Sequence, residues 1–243
     1  MKKLFPLTVL LYMICSSIRL YSNPSNDSSF YNRGFALVLV FPKFELQTNS
    51  KNINSYLNDF DFPLIPESSF NFGFGLQQRL NHFTISVDAT IGHQNISNTN
   101  SKTELRRLML GTGLNFSYNI LYKKAFLADL VFYPFAGIST SENILYLSKD
   151  IGNSTFTDLL SVNSNTTQIE HFDVGLNLGF GFNLTNLHIE ELGLLGINVG
   201  YRFNPDGEYL WESKFADISD SPSDNFNHFF IQINLGGGLN WKK

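Results

Sequence analysis

Residues 172–184 read FDVGLNLGFGFNL, and in this stretch apolar residues alternate strictly with small or polar ones. Successive side chains of a β-strand point to opposite faces, so a strand here would have two faces of different character. The apolar face comprises Phe172, Val174, Leu176, Leu178, Phe180, Phe182 and Leu184. The other face comprises Asp173, Gly175, Asn177, Gly179, Gly181 and Asn183. The stretch therefore predicts a β-strand with one apolar and one small, polar face.

The same alternation recurs along the chain. It is clear in residues 70–79, 83–92, 107–120 and 228–241. Three further segments, residues 34–46, 126–140 and about 188–203, are less regular. In the first of these both faces are apolar around residues 35–41, and the second contains Pro134. Together with residues 172–184, these segments predict eight strands.

The connections between the predicted strands alternate in length. The gaps after strands two, four and six are short. The gaps after strands one, three, five and seven are longer and rich in Asn, Ser, Asp and Pro, covering roughly residues 47–68, 95–103, 141–168 and 204–227. Short periplasmic turns that alternate with long extracellular loops are typical of outer-membrane β-barrels. An even number of strands then leaves both termini in the periplasm.

The composition of the second face indicates which face points outward. On a soluble barrel that face would meet water and carry Lys, Glu and Thr, but here it carries Gly, Asn, Ser and few charges. Small residues suit the interior of a narrow eight-stranded barrel. Charged residues make up only 16% of the chain, against about 25% in a typical soluble domain, which suits a lipid-facing surface. We predict an all-β fold, an eight-stranded antiparallel transmembrane up-and-down β-barrel; the alternative is a soluble lipocalin-like barrel.

The N-terminus has the pattern of an exported protein. Lys2 and Lys3 precede an apolar run over residues 4–15, and small or polar residues follow. This order predicts a signal peptide over residues 1–22, with residues 23–243 as a single barrel domain in the bacterial outer membrane. Lipidation at Cys15 is the alternative. Removing the signal peptide changes the formal charge from 17 − 21 = −4 to 14 − 21 = −7, which argues against a nucleic-acid partner.

The pattern over residues 33–241 resembles the small outer-membrane barrels of the OmpA-like, OmpX-like and OmpW-like superfamily. Many of these barrels end on an aromatic residue that is recognised during assembly, and the closing strand, residues 232–241, is similar in ending at Trp241, although Lys242 and Lys243 follow. The resemblance implies contact with outer-membrane lipid and with the barrel-assembly machinery. It implies a role in adhesion, envelope structure, small-solute passage or, rarely, lipid-modifying catalysis.

Six charged residues fall on the face predicted to point inward. They are Arg79, Asp88, Arg107, Asp129, Asp173 and Arg202. An unpaired charge in a closed lumen is costly, so these side chains are expected to form ion pairs and hydrogen bonds. The inward glycines would leave room for a long Arg side chain on a facing strand. We predict a filled lumen, with a narrow polar pore as the alternative.

Three histidines lie at the predicted extracellular ends of strands, namely His93, His171 and His228. His171 and His228 are on the inward face of strands that are not neighbours, and His93 is on the outward face. This spacing does not match a catalytic site. We therefore predict no catalytic residue, no metal site and no cofactor.

The last long loop combines aromatic and acidic residues. Tyr209, Trp211 and Phe215 alternate with six Asp and Glu residues between positions 204 and 227. This composition predicts a surface that binds an extracellular protein or glycan, and the alternative is a loop that packs its aromatic rings over the barrel mouth. The predicted function is a structural or surface-binding role through the extracellular loops, without catalysis. The alternatives are a narrow pore for small solutes or ions and a lipid-modifying outer-membrane enzyme.

Overall fold

The structure is a computed structural model that describes residues 35–47, 50–80, 82–123, 129–149, 166–186, 191–213 and 220–240. The predicted signal peptide, Phe215 and Trp241 lie outside the described residues, as does the side chain of Asp129.

Eight long strands form the fold. They are β1 (Phe35–Gln47), β2 (Ser68–Leu80), β3 (Phe83–Asn98), β4 (Thr103–Tyr118), β6 (Asp129–Lys149), β7 (Thr166–Asn186), β8 (Glu191–Phe203) and β11 (His228–Asn240). Each is antiparallel to the next along the chain, and β11 also pairs with β1, so the sheet closes on itself. This confirms the predicted eight-stranded antiparallel barrel.

Smaller elements lie at the ends of the barrel. Strand β5 (Leu121–Lys123) pairs with β6 beside the turn after β4. The first long loop contains helix α1 (Lys51–Asp59), and the last contains a short hairpin of β9 (Tyr209–Leu210) and β10 (Ser223–Asp224). No helix among the described residues is long and apolar enough to cross a membrane.

The predicted apolar face points outward. Phe74 is 66% exposed and Phe180 is 59% exposed, and apolar residues of all eight strands share this orientation. A continuous apolar surface of this kind would be unstable in water and matches the lipid-facing band of a transmembrane barrel. The protein is thus an outer-membrane barrel with its small, polar face in the lumen.

The lumen also contains apolar side chains that the general pattern of a small, polar inward face does not anticipate. Leu37, Leu39, Phe41 and Leu194 form one buried cluster, and Val131, Tyr133, Phe135 and Phe230 form another. Most come from β1 and β6, two of the irregular segments, because both faces of those strands carry apolar residues.

Glycines on neighbouring strands make room for the inward aromatic rings. Phe41 is paired with Gly73, and Tyr133 with Gly181, and in each pair a Cβ atom on the glycine would clash with the ring. A glycine also makes room for an inward arginine, as the sequence predicts. A Cβ atom at Gly175 would lie 2.6 Å from Cζ of Arg202.

Candidate functional site

The extracellular end of the lumen is covered by two loops, which we call the cap and define as residues 50–67, 204–213 and 220–227. Its interior is a cluster of buried apolar side chains: Ile53, Leu57, Ile65, Trp211 and Phe226 from the cap, with Leu105 and Leu145 from the barrel wall. Ile53 and Leu57 lie four residues apart and so share one face of α1, which packs downward. The cap is therefore an ordered hydrophobic lid.

Asp224 joins the two loops of the cap. Its carboxylate accepts hydrogen bonds from the backbone N–H groups of Asn52 (3.1 Å) and Ile53 (3.0 Å) at the start of α1, and from Nε1 of Trp211 (2.9 Å). Burial raises the pKa of Asp224 above its ordinary value, while the three N–H donors oppose this increase. The first turn of a helix favours such an acceptor because its N–H groups have no partner within the helix.

His171 joins the cap to the barrel wall. Its ring is fully buried at the upper end of β7, and its Nε2 lies 3.1 Å from the carbonyl oxygen of Tyr209 and 3.2 Å from that of Asp224. Because both neighbours are acceptors, Nε2 must carry the hydrogen. The rings of Phe226 and Trp211 lie 4.7 Å and 5.1 Å from the imidazole centroid.

Asp173 and Arg202 form a buried ion pair below the cap. Nη2 of Arg202 lies 2.5 Å from Oδ1 of Asp173, and both side chains are at most 2% exposed. Asn204 donates to Asp173 (3.0 Å), and Nε of Arg202 donates to Ser139 (2.9 Å). The two charges compensate each other, and these further hydrogen bonds satisfy much of their remaining polar capacity.

The other predicted lumen charges do not join this pair. Arg107 is buried and donates to Oδ1 of Asn143 (3.0 Å from Nε), and its guanidinium lies 5.6 Å from the ring of Phe226. Asp88 accepts from Asn115 (2.8 Å), and Arg79 is buried on β2. The structure thus places the described members of the set in the lumen, but in separate clusters.

A further charged cluster involves β1 and was missed at the level of sequence. Nζ of Lys43 lies 2.8 Å from Oε1 of Glu45, and Nε2 of His228 lies 3.3 Å from the same oxygen. Ser69 donates to Oε2 of Glu45 (3.1 Å). The alternation of Lys43 and Glu45 with Phe44 and Leu46 was a usable signal, but the apolar residues on both faces of residues 35–41 obscured the phase.

A small polar cavity of about 60 Å³ lies in the lumen. Residues of opposite charge line it, among them Lys43, Glu45, Asp88, Arg107 and Arg202. The inward side chains of Leu39, Phe41 and Phe135 contribute to its wall. The cap contacts this wall where the ring of Phe226 lies 5.6 Å from the guanidinium of Arg107. Among the described residues, no group of three His, Cys, Asp or Glu side chains is placed to hold a metal ion.

The outer surface of the cap differs in character from its interior. Trp211, predicted as a binding residue, is 1% exposed and belongs to the cap core, and Tyr209 is half-buried. The exposed apolar side chains are instead Tyr56, Phe60, Leu64 and Leu210. The described cap also has seven exposed carboxylates and one exposed cation, Lys51. The carboxylates are those of Asp59, Asp61, Glu67, Asp206, Glu208, Glu212 and Asp220. His93 points outward from β3 and is exposed.

A closed barrel of eight antiparallel strands with an apolar exterior and a capped polar lumen defines a small outer-membrane β-barrel. No protein-family model and no curated protein matches the chain. It is similar to a major outer membrane protein from Thermus thermophilus, with 10% identity, coverage of 86% of this chain and 99% of that one, and a TM-score of 0.46.

Two other solved structures have comparable similarity. One is the outer membrane protein OprG from Pseudomonas aeruginosa, with 11% identity, coverage of 87% and 98%, and a TM-score of 0.42. The other is Ail, the attachment invasion locus protein of Yersinia pestis, in complex with the heparin analogue sucrose octasulfate, with 10% identity, coverage of 86% and 99%, and a TM-score of 0.41.

Proposed function

We propose that this protein is a non-enzymatic outer-membrane barrel that binds an extracellular protein through the surface of its cap. The observation that carries the proposal is the exposed apolar set on an ordered lid. Tyr56 and Phe60 are four residues apart at the end of α1, and Phe60 is 66% exposed. Exposed aromatic side chains held by a rigid scaffold are typical of binding surfaces.

The charge of the cap indicates the chemistry of the partner. Among the described residues of the cap, seven exposed carboxylates against one exposed cation create a negative potential, which attracts a basic surface and repels a polyanionic glycan. The partner is therefore a protein with basic and apolar side chains at its contact surface. Catalysis has little support, because the His171 imidazole is fully enclosed and cannot reach a substrate.

Binding can be tested with the purified barrel in lipid nanodiscs. The immobilised ligands are two basic proteins, lysozyme and cytochrome c, and a glycan array that includes heparin. We expect the basic proteins to bind and the double variant Phe60→Ser/Leu210→Ser to lose at least tenfold in affinity, whereas Asn58→Ser, which changes an exposed polar residue of the same helix, has no effect. Binding to glycans alone, no binding, or equal binding by the double variant would overturn the proposal.

The lumen cavity favours a second candidate, a narrow pore for small solutes or ions that conducts when the cap is displaced. Lys43, Asp88 and Arg107 provide charges of both signs along the cavity wall. This candidate predicts that the barrel with residues 206–222 replaced by a Gly-Ser linker gives single-channel currents in planar bilayers, and that these currents change when Arg107 is also replaced by Ala. Currents that are identical for the two proteins would exclude it.

A further inference from the structure

His171 stands at the contact between the barrel wall and the last extracellular loop. The apolar exterior of β7 begins at Phe172, which is 53% exposed, and the preceding Glu170 forms a backbone bridge with Glu212 of the cap. The imidazole is thus above the membrane-spanning part of β7. Its Nε2–H donates to the carbonyl groups of Tyr209 and Asp224, which pair with each other across β9 and β10.

The second nitrogen of the ring has no comparable contact. Within the described part of the chain, Nδ1 of His171 is buried and has no hydrogen-bond partner. Aromatic rings surround the imidazole, those of Tyr209, Trp211 and Phe226. A neutral imidazole, with one N–H and one lone pair, fits this enclosure, whereas an imidazolium would bury a second N–H without an acceptor.

The charged groups around His171 do not supply that acceptor. Asp173, two residues along β7, is engaged by Arg202 and Asn204. The Asp224 carboxylate accepts hydrogen bonds from α1 and from Trp211. The guanidinium of Arg107 lies 5.6 Å from the ring of Phe226. Glu212 is exposed and Glu170 lies on the outward face of β7. Burial lowers the pKa of His171, although the charges of Asp173 and Asp224 oppose this shift.

We propose that His171 is an acid-sensitive latch, which holds the last loop over the lumen while its imidazole is neutral and releases the loop when the imidazole takes a second proton. In the released loop the ring would be hydrated and would bind a proton more readily than in the closed cap. The closed state therefore loses stability as the pH falls below about 6.5, the ordinary value for histidine.

Release of the loop would uncover the extracellular end of the lumen. Tyr209, Trp211 and Phe226 would move away from the barrel mouth, and the polar cavity with Arg107 and Asp88 would open to the extracellular side. Such a controlled opening of the lid is separate from the binding of a partner at its outer surface.

The fluorescence of Trp211 tests the latch directly. The chain has two tryptophans, so Trp241→Phe leaves Trp211 as the single emitter, in a buried site 5.1 Å from the His171 ring. With this variant in nonionic detergent, we expect blue-shifted emission at pH 8. Lowering the pH to 4.5 should shift the emission to the red and raise acrylamide quenching at least threefold. The far-UV circular dichroism of the barrel should remain unchanged.

Two glutamine variants in the same background identify the group responsible. His171→Gln keeps an N–H donor near the two carbonyl groups but does not titrate, so we expect it to abolish the acid transition. His228→Gln alters another buried imidazole and should leave the transition intact. An acid transition that persists in His171→Gln, no transition in the parent, or loss of the barrel spectrum together with the fluorescence change would overturn the proposal.

NMR of the parent protein keeps the test decisive if His171→Gln has an open cap already at pH 8. The imidazole ¹⁵N shifts of His171 should report the neutral Nε2–H tautomer at pH 8 and protonation with the same midpoint as the fluorescence change. An imidazole that stays neutral through the transition would also overturn the latch.

Discussion

The Asp173–Arg202 pair shows how a single residue decides whether the lumen can hold its charges. Both side chains are buried, and Arg202 has further contacts with Ser139 and Asn204. A buried ion pair adds little net stability by itself, but removal of one partner leaves the other charge uncompensated. The stability of this ion pair therefore depends on both charges and on the hydrogen bonds that Arg202 makes with Ser139 and Asn204.

We expect Asp173→Ala to destabilise the barrel by about 3–5 kcal/mol, because it leaves the Arg202 guanidinium buried without its carboxylate. The measurement is urea-induced unfolding of the refolded protein in lipid vesicles. The matched control is Glu104→Gln, which removes the carboxylate of the exposed Glu104–Arg106 pair and should change the unfolding midpoint little. Equal effects of the two substitutions would contradict the assigned role of burial.

For His171, the sequence predicts the direction of the side chain but not its hydrogen bonds. Strand phase places this side chain inward, and the structure agrees. Its hydrogen bonds to Tyr209 and Asp224 connect positions separated by 38 and 53 residues, and alternation within a strand contains no information about such contacts. The role of a buried side chain thus depends on its contacts with loops that are distant in sequence, and the strand pattern does not predict these contacts.

Within the strands, paired glycine and aromatic residues set the packing of the lumen. Gly181 lies directly opposite Tyr133, whose hydroxyl oxygen lies 3.0 Å from Oδ1 of Asn183 and 2.8 Å from Oδ1 of Asn198. The ring occupies the space that a side chain at position 181 would take. Glycine is costly inside a strand in general, but here its missing side chain allows a large ring to lie flat in a narrow lumen.

Gly181→Ala is expected to destabilise the barrel by about 1–3 kcal/mol, the usual range for overpacking a core. Gly193→Ala on β8 is the control, because a Cβ at that position has no heavy atom within 4 Å. Unfolding midpoints in urea compare the two. If Gly193→Ala is as destabilising as Gly181→Ala, the effect belongs to strand propensity and not to contact with Tyr133.

The elements differ in how well the sequence predicts them. β7 and β2 alternate cleanly, and their outward and inward faces follow from the pattern. β1 and β6 are ambiguous because the lumen itself needs apolar rings, such as Phe41 and Phe135, on the inward face. Helix α1 has only nine residues, too few to be stable alone, so it depends on Asp224 and Trp211 from another loop.

At the scale of the whole molecule, the apolar exterior determines the environment of the barrel. Phe74, Phe180 and many other half-exposed apolar side chains form one lipid-facing surface, while both ends of the lumen contain packed side chains. In a closed sheet the backbone N–H and C=O groups of every strand have hydrogen-bond partners on both sides. A β-sheet can lie in the hydrocarbon core of a membrane only under this condition. The fold is therefore stable only in a bilayer or in a substitute for one.

Refolding residues 23–243 into detergent micelles should give a β-type circular dichroism spectrum and a gel band whose mobility changes on boiling. The closed sheet explains the expectation, since an intact barrel resists unfolding by dodecyl sulfate until it is heated. The control is the same chain diluted into buffer without detergent, which should aggregate. A soluble monomer in that buffer would contradict the outward orientation of the apolar face.

The cap should also determine whether the barrel conducts. With the roof of Trp211 and Phe226 in place, we expect the refolded protein to show almost no current in planar bilayers at pH 8. Replacing residues 206–222 with a short Gly-Ser linker removes Trp211 and should raise the conductance at least tenfold while the heat-dependent gel shift is retained. The surface variant Phe60→Ser/Leu210→Ser is the control, because it leaves the cap core intact. If the shortened barrel stays silent, the barrier lies in the apolar layer of Leu37, Leu39 and Phe41 deeper in the lumen, and the cap serves only as a binding surface.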